Sequence, residues 1–167
     1  CNLLKDDTAL IVGLGSIGLL MGEGLKALGY KVYGCDLIPE RLELAKKMGI
    51  EPFDFSNEVD AVFMTSGADK AIGTAFKAVR MGGKILVFSS TPLSNGYPNN
   101  EIYYKELTVM GSYSPSPKDL KDSFELLTSK KVNVKNLTTV YPLDKIQQAF
   151  DDTISNKIFK AYIKIAD

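Results

Sequence analysis

Three glycines in the order G-x-G-x-x-G, Gly13, Gly15 and Gly18, follow the apolar run of residues 8–12, and Asp36 closes a second apolar run 18 positions after Gly18. These residue types at this spacing suit one piece of chemistry. Gly13 permits a tight turn out of a strand, Gly15 lets backbone approach a diphosphate, and Gly18 lets the following helix lie close on a sheet. The amides of Ser16, Ile17 and Gly18 at that helix start then face the diphosphate, with the helix dipole assisting. A carboxylate ending the second strand accepts hydrogen bonds from both adenosine ribose hydroxyls and repels a 2′-phosphate, so the pattern favours NAD over NADP. Arg41, five residues further, is placed to cover the adenine face. The same glycine spacing also serves as a plain structural turn or as an S-adenosylmethionine site. Here strand, helix and acid stand together in the order a dinucleotide requires.

The elements that must hold these residues are legible in the apolar pattern. Residues 8–12 are short and branched, as a buried strand requires, and from Ile17 the apolar positions fall at Leu20, Met21, Leu25 and Leu28, a helical spacing. Gly29 stands at the expected C-terminal cap, residues 32–35 form the second strand, and Pro39 opens a helix that runs to Met48. Residues 53–55, 61–64 and 85–88 read as strands three to five. A helix over residues 71–79 precedes the fifth and is ended by the MGG of residues 81–83. The runs are continuous rather than alternating, as in parallel strands buried on both faces. Residues 89–100 read as a loop rich in turn residues and residues 107–110 as a sixth strand; Leu120, Phe124 and Leu127 mark a helix after Pro115 and Pro117. The expected fold is α/β, a doubly wound six-stranded parallel sheet in the order 3-2-1-4-5-6. Its ligand crevice lies outside the C-terminal ends of strands one and four.

Beyond Lys130 the text changes character. Residues 137–141 form a short run, residues 143–150 look helical, and Phe159, Ala161, Ile163 and Ile165 alternate strictly with polar or amphipathic neighbours. Alternation means a sheet with one face wet or packed elsewhere. The expected organisation is therefore a nucleotide-binding unit over residues 1–130 and a tail over residues 131–167.

Composition narrows the chemistry further. Twenty basic residues balance twenty acidic ones, so no net field draws in nucleic acid or an anionic membrane surface. No apolar run approaches the ~20 residues of a membrane span. The opening CNLLKDD lacks the features of a signal peptide, which makes the cytoplasm the expected compartment, and the missing initiator methionine suggests the cut edge of a longer protein. There is no histidine, so a histidine base, a histidine metal ligand or a Ser-His-Asp triad cannot be built from these residues. The two cysteines, Cys1 and Cys35, are too few for a zinc cluster. Cys35 reads as a small buried apolar residue, since nothing basic is fixed beside it. Thr65, Ser66 and Gly67 end strand four and Ser89 and Ser90 end strand five. Thr65 and Ser66 suit either a nicotinamide ribose contact or a polar loop cap. Tyr141 and Lys145 match the Tyr-x-x-x-Lys pair of short-chain dehydrogenases in spacing only, because that pair stands on a helix and Pro142 here starts one instead.

Taken in order, VGLGSIGLLMGEGLKALGYKVYGCD, IPERLELAKKMG, MTSGA, MGGKILVFSS and KELTVMGSYS resemble the medium-chain, zinc-dependent alcohol dehydrogenases, and most of all their sorbitol and threonine dehydrogenase branch. The likeness runs from Asp7 to Ile165 and covers only the cofactor-binding, Rossmann-fold half of such proteins. The resemblance implies that Gly13, Gly15, Ser16, Ile17 and Gly18 lie at the pyrophosphate and Asp36 and Arg41 at the adenosine. It also puts Thr65, Ser66, Phe88, Ser89, Tyr113 and Ser114 near the nicotinamide. Glycine often stands in the family where this chain has Ser89. The implied parent oxidises a secondary alcohol or polyol by hydride transfer to NAD, with zinc and the proton relay on a separate catalytic domain. These residues alone would bind NAD and turn nothing over. The resemblance makes the tail strands parts of that other domain, so that alone they would self-associate or be disordered, and it puts a contact of a homo-oligomer near residues 97–104. The rival expectation is a regulatory domain that senses a dinucleotide without catalysis.

Overall fold

The first strand shows why the chain folds as it does. In Thr8–Val12 (β1), Leu10 and Val12 point into one apolar cluster and Ala9 and Ile11 into another, so the strand is buried on both faces. A strand of that kind needs neighbours on both edges and helices above and below. The structure, a computed structural model, describes residues 2–90 and 96–166 and supplies both.

Five further strands surround β1: Lys31–Cys35 (β2), Glu51–Pro52 (β3), Val59–Met64 (β4), Val79–Val87 (β5) and Thr108–Gly111 (β6). They pair in parallel in the order β3-β2-β1-β4-β5-β6, the order expected from the sequence. Ser16–Ala27 (α1) and Pro39–Lys47 (α2) cover one face, burying Leu19, Leu25 and Ala45. Asp69–Ala78 (α3) covers the other with Ile72, Ala75 and Phe76, and Ile102 of Asn99–Tyr104 (α4) joins it there. Among the described residues no helix is long and apolar enough to cross a membrane.

Three details differ from the pattern-based reading. The third strand is Glu51–Pro52 rather than residues 53–55. Phe53 still donates its N–H to Gly34 C=O at 3.0 Å, but Phe55 then turns at φ +60° and the chain leaves the edge. Residues 53–58 alone carry the crossover to β4, without the helix that usually fills such a connection. Phe53 packs edge-on against both Tyr33 and Phe55, which holds this short strap to the sheet. Second, the MGG does not end a helix: α3 stops at Ala78 and residues 80–83 bulge out of β5 where the register jumps from Val59↔Val79 to Ala61↔Lys84. Gly82 N–H to Lys105 C=O at 2.7 Å and Arg80 Nε to Asp60 Oδ1 at 2.6 Å hold the bulge. Third, the stretch read as a loop ends in α4, a helix too short to show a period.

After β6 comes Pro117–Thr128 (α5), started by Pro117 and by a capping box between Ser116 and Asp119. None of its residues is buried, and Leu120 and Phe124 are 60% and 66% exposed. The tail folds as Thr139–Pro142 (β7), Ile146–Ile154 (α6) and Ala161–Lys164 (β8), with β7 and β8 pairing in parallel with each other. Leu137 and Phe159 join the cluster beneath α1 and α2, which ties the tail to the sheet.

Phe76 is the largest fully buried side chain. Phe76→Ala should cost about 3–5 kcal/mol, read as a lower urea midpoint with unchanged slope. An unchanged midpoint would remove Phe76 from the core described above.

Candidate functional site

Between the C-terminal ends of β1, β2 and β4 lies a cleft of about 490 Å³. Its walls include Gly13, Gly15, Asp36, Arg41, Thr65 and Ser66, six of the residues singled out by sequence. This volume lies within the ~300–1,000 Å³ usual for small-molecule sites.

The glycine turn is built by close approach. Gly13 has φ +99°, a conformation that L side chains rarely adopt, and a Cβ there would lie 2.8 Å from Ser66 Cβ. Its N–H donates to Cys35 C=O at 2.9 Å, and its C=O accepts the Thr65 hydroxyl at 2.6 Å. At Gly18 a Cβ would come within 1.9 Å of that same Gly13 oxygen, so only glycine lets α1 rest there. Gly15 differs: a Cβ there would meet nothing within 4 Å. It is the N-cap of α1 with no side chain to cap the helix, and the first turn holds no acidic residue. The first helical bond runs from Leu19 N–H to Gly15 C=O. The helix start therefore presents its amides, those of Ser16, Ile17 and Gly18, beside open space, a cradle that fits an anion.

Asp36 faces this turn from the end of β2. Its Oδ2 accepts Leu14 N–H at 2.7 Å, its Oδ1 accepts Ile38 N–H at 2.9 Å, and Arg41 Nη1 lies 3.5 Å from Oδ2. Two backbone amides thus fix the carboxylate while lone pairs remain for ribose hydroxyls. Arg41 Nη2 also donates to Asn156 Oδ1 at 2.7 Å. Cys35 lines the cleft as a free thiol. Burial, reinforced by the neighbouring Asp36 charge, pushes its pKa up to about 11, so it is a neutral side chain at pH 7.

Of the residues expected on the nicotinamide side, Thr65 and Ser66 line this cleft, whereas Phe88, Ser89, Tyr113 and Ser114 do not. Thr65 spends its hydroxyl on Gly13, and its C=O accepts Ser89 Oγ at 2.9 Å. Ser66 Oγ accepts Ala68 N–H at 3.3 Å. Phe88 and Ser89 continue from β5 by donating their N–H groups to Met64 C=O, and Phe88 is 41% exposed. Ile17 is 49% exposed; Tyr113 is 99% exposed and Ser114 has φ +64°, both just beyond β6. All stand at the same end of the sheet as the glycine turn. Phe88, Ser89, Tyr113 and Ser114 lie along a half of it that no second wall encloses among the described residues.

The lining also includes residues not singled out in the sequence, among them Leu37, Ile38, Phe55 and Lys70. Leu37 and Ile38 were signalled by their place directly after Asp36, and Lys70 by the turn that sends α3 off from Thr65. Phe55 had no signal, because the short strap that carries it follows no pattern. The Tyr141 phenol donates to Asp152 Oδ2 at 2.8 Å, and that bond raises its pKa, so it is no base paired with Lys145. Zinc finds no donor set: the chain has no histidine, and no cluster of three or more His, Cys, Asp or Glu among the described residues is placed to hold a metal.

Sheet order, glycine turn and the acid after β2 define a Rossmann-type α/β domain. The sequence profile of the zinc-binding dehydrogenases matches residues 16–129, and the chain belongs to that family. D-xylulose reductase A of Aspergillus oryzae is 30% identical over 194 residues, spanning 99% of this chain and 52% of that protein. Sorbitol dehydrogenase 1 of Saccharomyces cerevisiae is 27% identical over 170 residues, 88% of this chain and 48% of that one. The crystal structure of benzyl alcohol dehydrogenase from Acinetobacter calcoaceticus superposes with a TM-score of 0.88 at 24% identity, covering 99% of this chain and 51% of that one. The chain spans about half the length of the curated relatives it matches.

Gly15 and Gly18 should respond very unequally to a methyl group. Gly18→Ala should lose more than about 2 kcal/mol, because backbone must move, whereas Gly15→Ala should lose less than about 1 kcal/mol. Urea unfolding of both reads the contrast, and equal losses would contradict the geometry. For Cys35, a raised pKa means stability that is undiminished below the ordinary thiol value of 9.0 and lost as pH rises through about 11. In a Cys1→Ser background, iodoacetamide should alkylate Cys35 at pH 8 roughly 100-fold more slowly than an unperturbed thiol, with the rate climbing above pH 9.

Proposed function

We propose that this chain is the NAD(H)-holding half of a zinc-type alcohol or polyol dehydrogenase. The observation that carries the reading is Gly15: the one cleft-facing glycine whose missing Cβ leaves open space, at a helix start without a cap. A diphosphate fits that space, with the amides of Ser16, Ile17 and Gly18 as donors. Asp36, already fixed by two amides, would accept the adenosine ribose hydroxyls, and its charge disfavours a 2′-phosphate.

When bound, the nicotinamide would accept or return a hydride. This chain's residues bind and orient. Thr65 keeps the glycine turn in register through Gly13, and Ser89 keeps the end of β5 against β4. Phe88, Tyr113 and Ser114 would form the near side of the nicotinamide position. Among the described residues we assign no proton relay and no metal ligand, so acid-base and Lewis-acid chemistry would come from outside them, and alone they would catalyse nothing. The substrate class, a small secondary alcohol or polyol, rests on the relatives' names. The exposed apolar side chains of α5, with Phe150 and Tyr162 of the tail, offer a surface for the remainder of such an enzyme or for a second copy. Residues 97–104 are where we place a homo-oligomer contact. The free Cys35 suits a reducing compartment such as the cytoplasm.

Calorimetry with NADH should show saturable binding, with NADPH weaker. Asp36→Ala should weaken NADH by about tenfold or more. An unchanged affinity in that variant would reject the site.

A further inference from the structure

The guanidinium of Arg41 has two carboxyl- or amide-oxygen neighbours, and the nearer is not the expected one. Nη1 stands 3.5 Å from Asp36 Oδ2, a long contact, while Nη2 donates to Asn156 Oδ1 at 2.7 Å across 115 positions of sequence. The tail residue therefore sets where the guanidinium rests. Asn156 is itself well fixed. It leaves α6 at φ +57°, a left-handed conformation that asparagine tolerates, and donates its N–H to Thr153 C=O. The adjoining turn is braced by Asp152, which accepts Lys157 N–H on its C=O, and Tyr141 Oη and Lys157 Nζ on its carboxylate.

We infer that Asn156 is a positioning residue for the coenzyme: acting through Arg41, it sets both affinity for the adenosine end and the preference for NAD(H) over NADP(H). This rests on the cleft being the NAD(H) site proposed above. The physical argument has two parts. A free arginine loses side-chain freedom when a ligand orders it, and an arginine already ordered does not. Arginine is also the residue that accommodates a 2′-phosphate, through a two-pronged grip. With one Nη2 hydrogen given to Asn156 and Nη1 turned towards Asp36, Arg41 is held beside the carboxylate. A 2′-phosphate would have to break the Asn156 bond to swing the guanidinium round to itself.

Two substitutions separate position from structure. Asn156→Gly keeps the left-handed backbone and deletes the acceptor; Asn156→Asp keeps an acceptor oxygen. Binding of NADH and NADPH to the 167-residue chain is measured by calorimetry, with urea unfolding alongside. For Asn156→Gly we expect NADH to weaken about three- to tenfold and the NADH-to-NADPH affinity ratio to fall by at least that factor. Asn156→Asp should stay within about twofold of the parent chain on both. Tyr141→Phe, which loosens the tail but leaves the Asn156 oxygen, should lower the urea midpoint without moving the ratio. An unmoved ratio in Asn156→Gly overturns the inference, as does an equal shift in Tyr141→Phe or equal behaviour of the Gly and Asp variants. If the parent chain binds NADH, such a result leaves the proposed function standing. If the parent chain binds neither coenzyme, the proposed function falls and this inference with it.

Discussion

The Gly13 carbonyl oxygen accepts the Thr65 hydroxyl and occupies the space that a methyl group on residue 18 would need. This contact sets the distance between α1 and the end of β1. With it in place, the amide of Leu14 comes round to Asp36. Neither the cradle at Gly15 nor the fixed carboxylate exists without that approach. The energy that secures it is buried apolar surface: β1 lies between two clusters, and Leu14 and Leu19 anchor the turn and the helix in one of them.

The central part of the fold could be read in the sequence because it obeys periodicity. Residues 9–12, 32–35 and 61–64 hold no charged residue, as a strand covered on both faces requires. In α1 the spacing of Ile17, Leu20, Met21, Leu25 and Leu28 marked a helix but not its inner face, where Leu19 and Leu25 are buried while Ile17, Leu20 and Leu28 stay exposed. The irregular pieces left no such trace. Glu51–Pro52 is too short for a pattern, and it is held by its pairing with β2, by the Phe53 ring against Tyr33 and by the Phe53 amide on Gly34 C=O. The bulge at residues 80–83 is written as MGG, which reads equally well as a helix stop. In the site, Gly13, Gly18 and Asp36 were legible since backbone geometry dictates them, whereas the Arg41–Asn156 bond joins positions that nothing local relates.

The two halves of the crevice differ in kind. The side at Asp36 is walled by three strand ends, α3 and the strap that carries Phe55, all within the chain. The other side has a floor, made by the ends of β5 and β6, but no roof among the described residues. That asymmetry matches a chain that spans about half of its relatives' length. The predicted residues fare differently in the two halves: those on the walled side converge, whereas on the open side Phe88 is 41% and Tyr113 99% exposed.

The outer border at β3 carries a last consequence. It is two residues long, and the second, Pro52, has no N–H to give. A foreign strand arriving there would find almost no ladder to extend, so lateral growth of this sheet is blocked on that flank. Thr108–Gly111, on the opposite flank, keeps a run of four non-proline residues. Any continuous sheet shared between two molecules through these strands would have to be stitched along β6, which gives the molecule a front and a back where self-recognition is concerned.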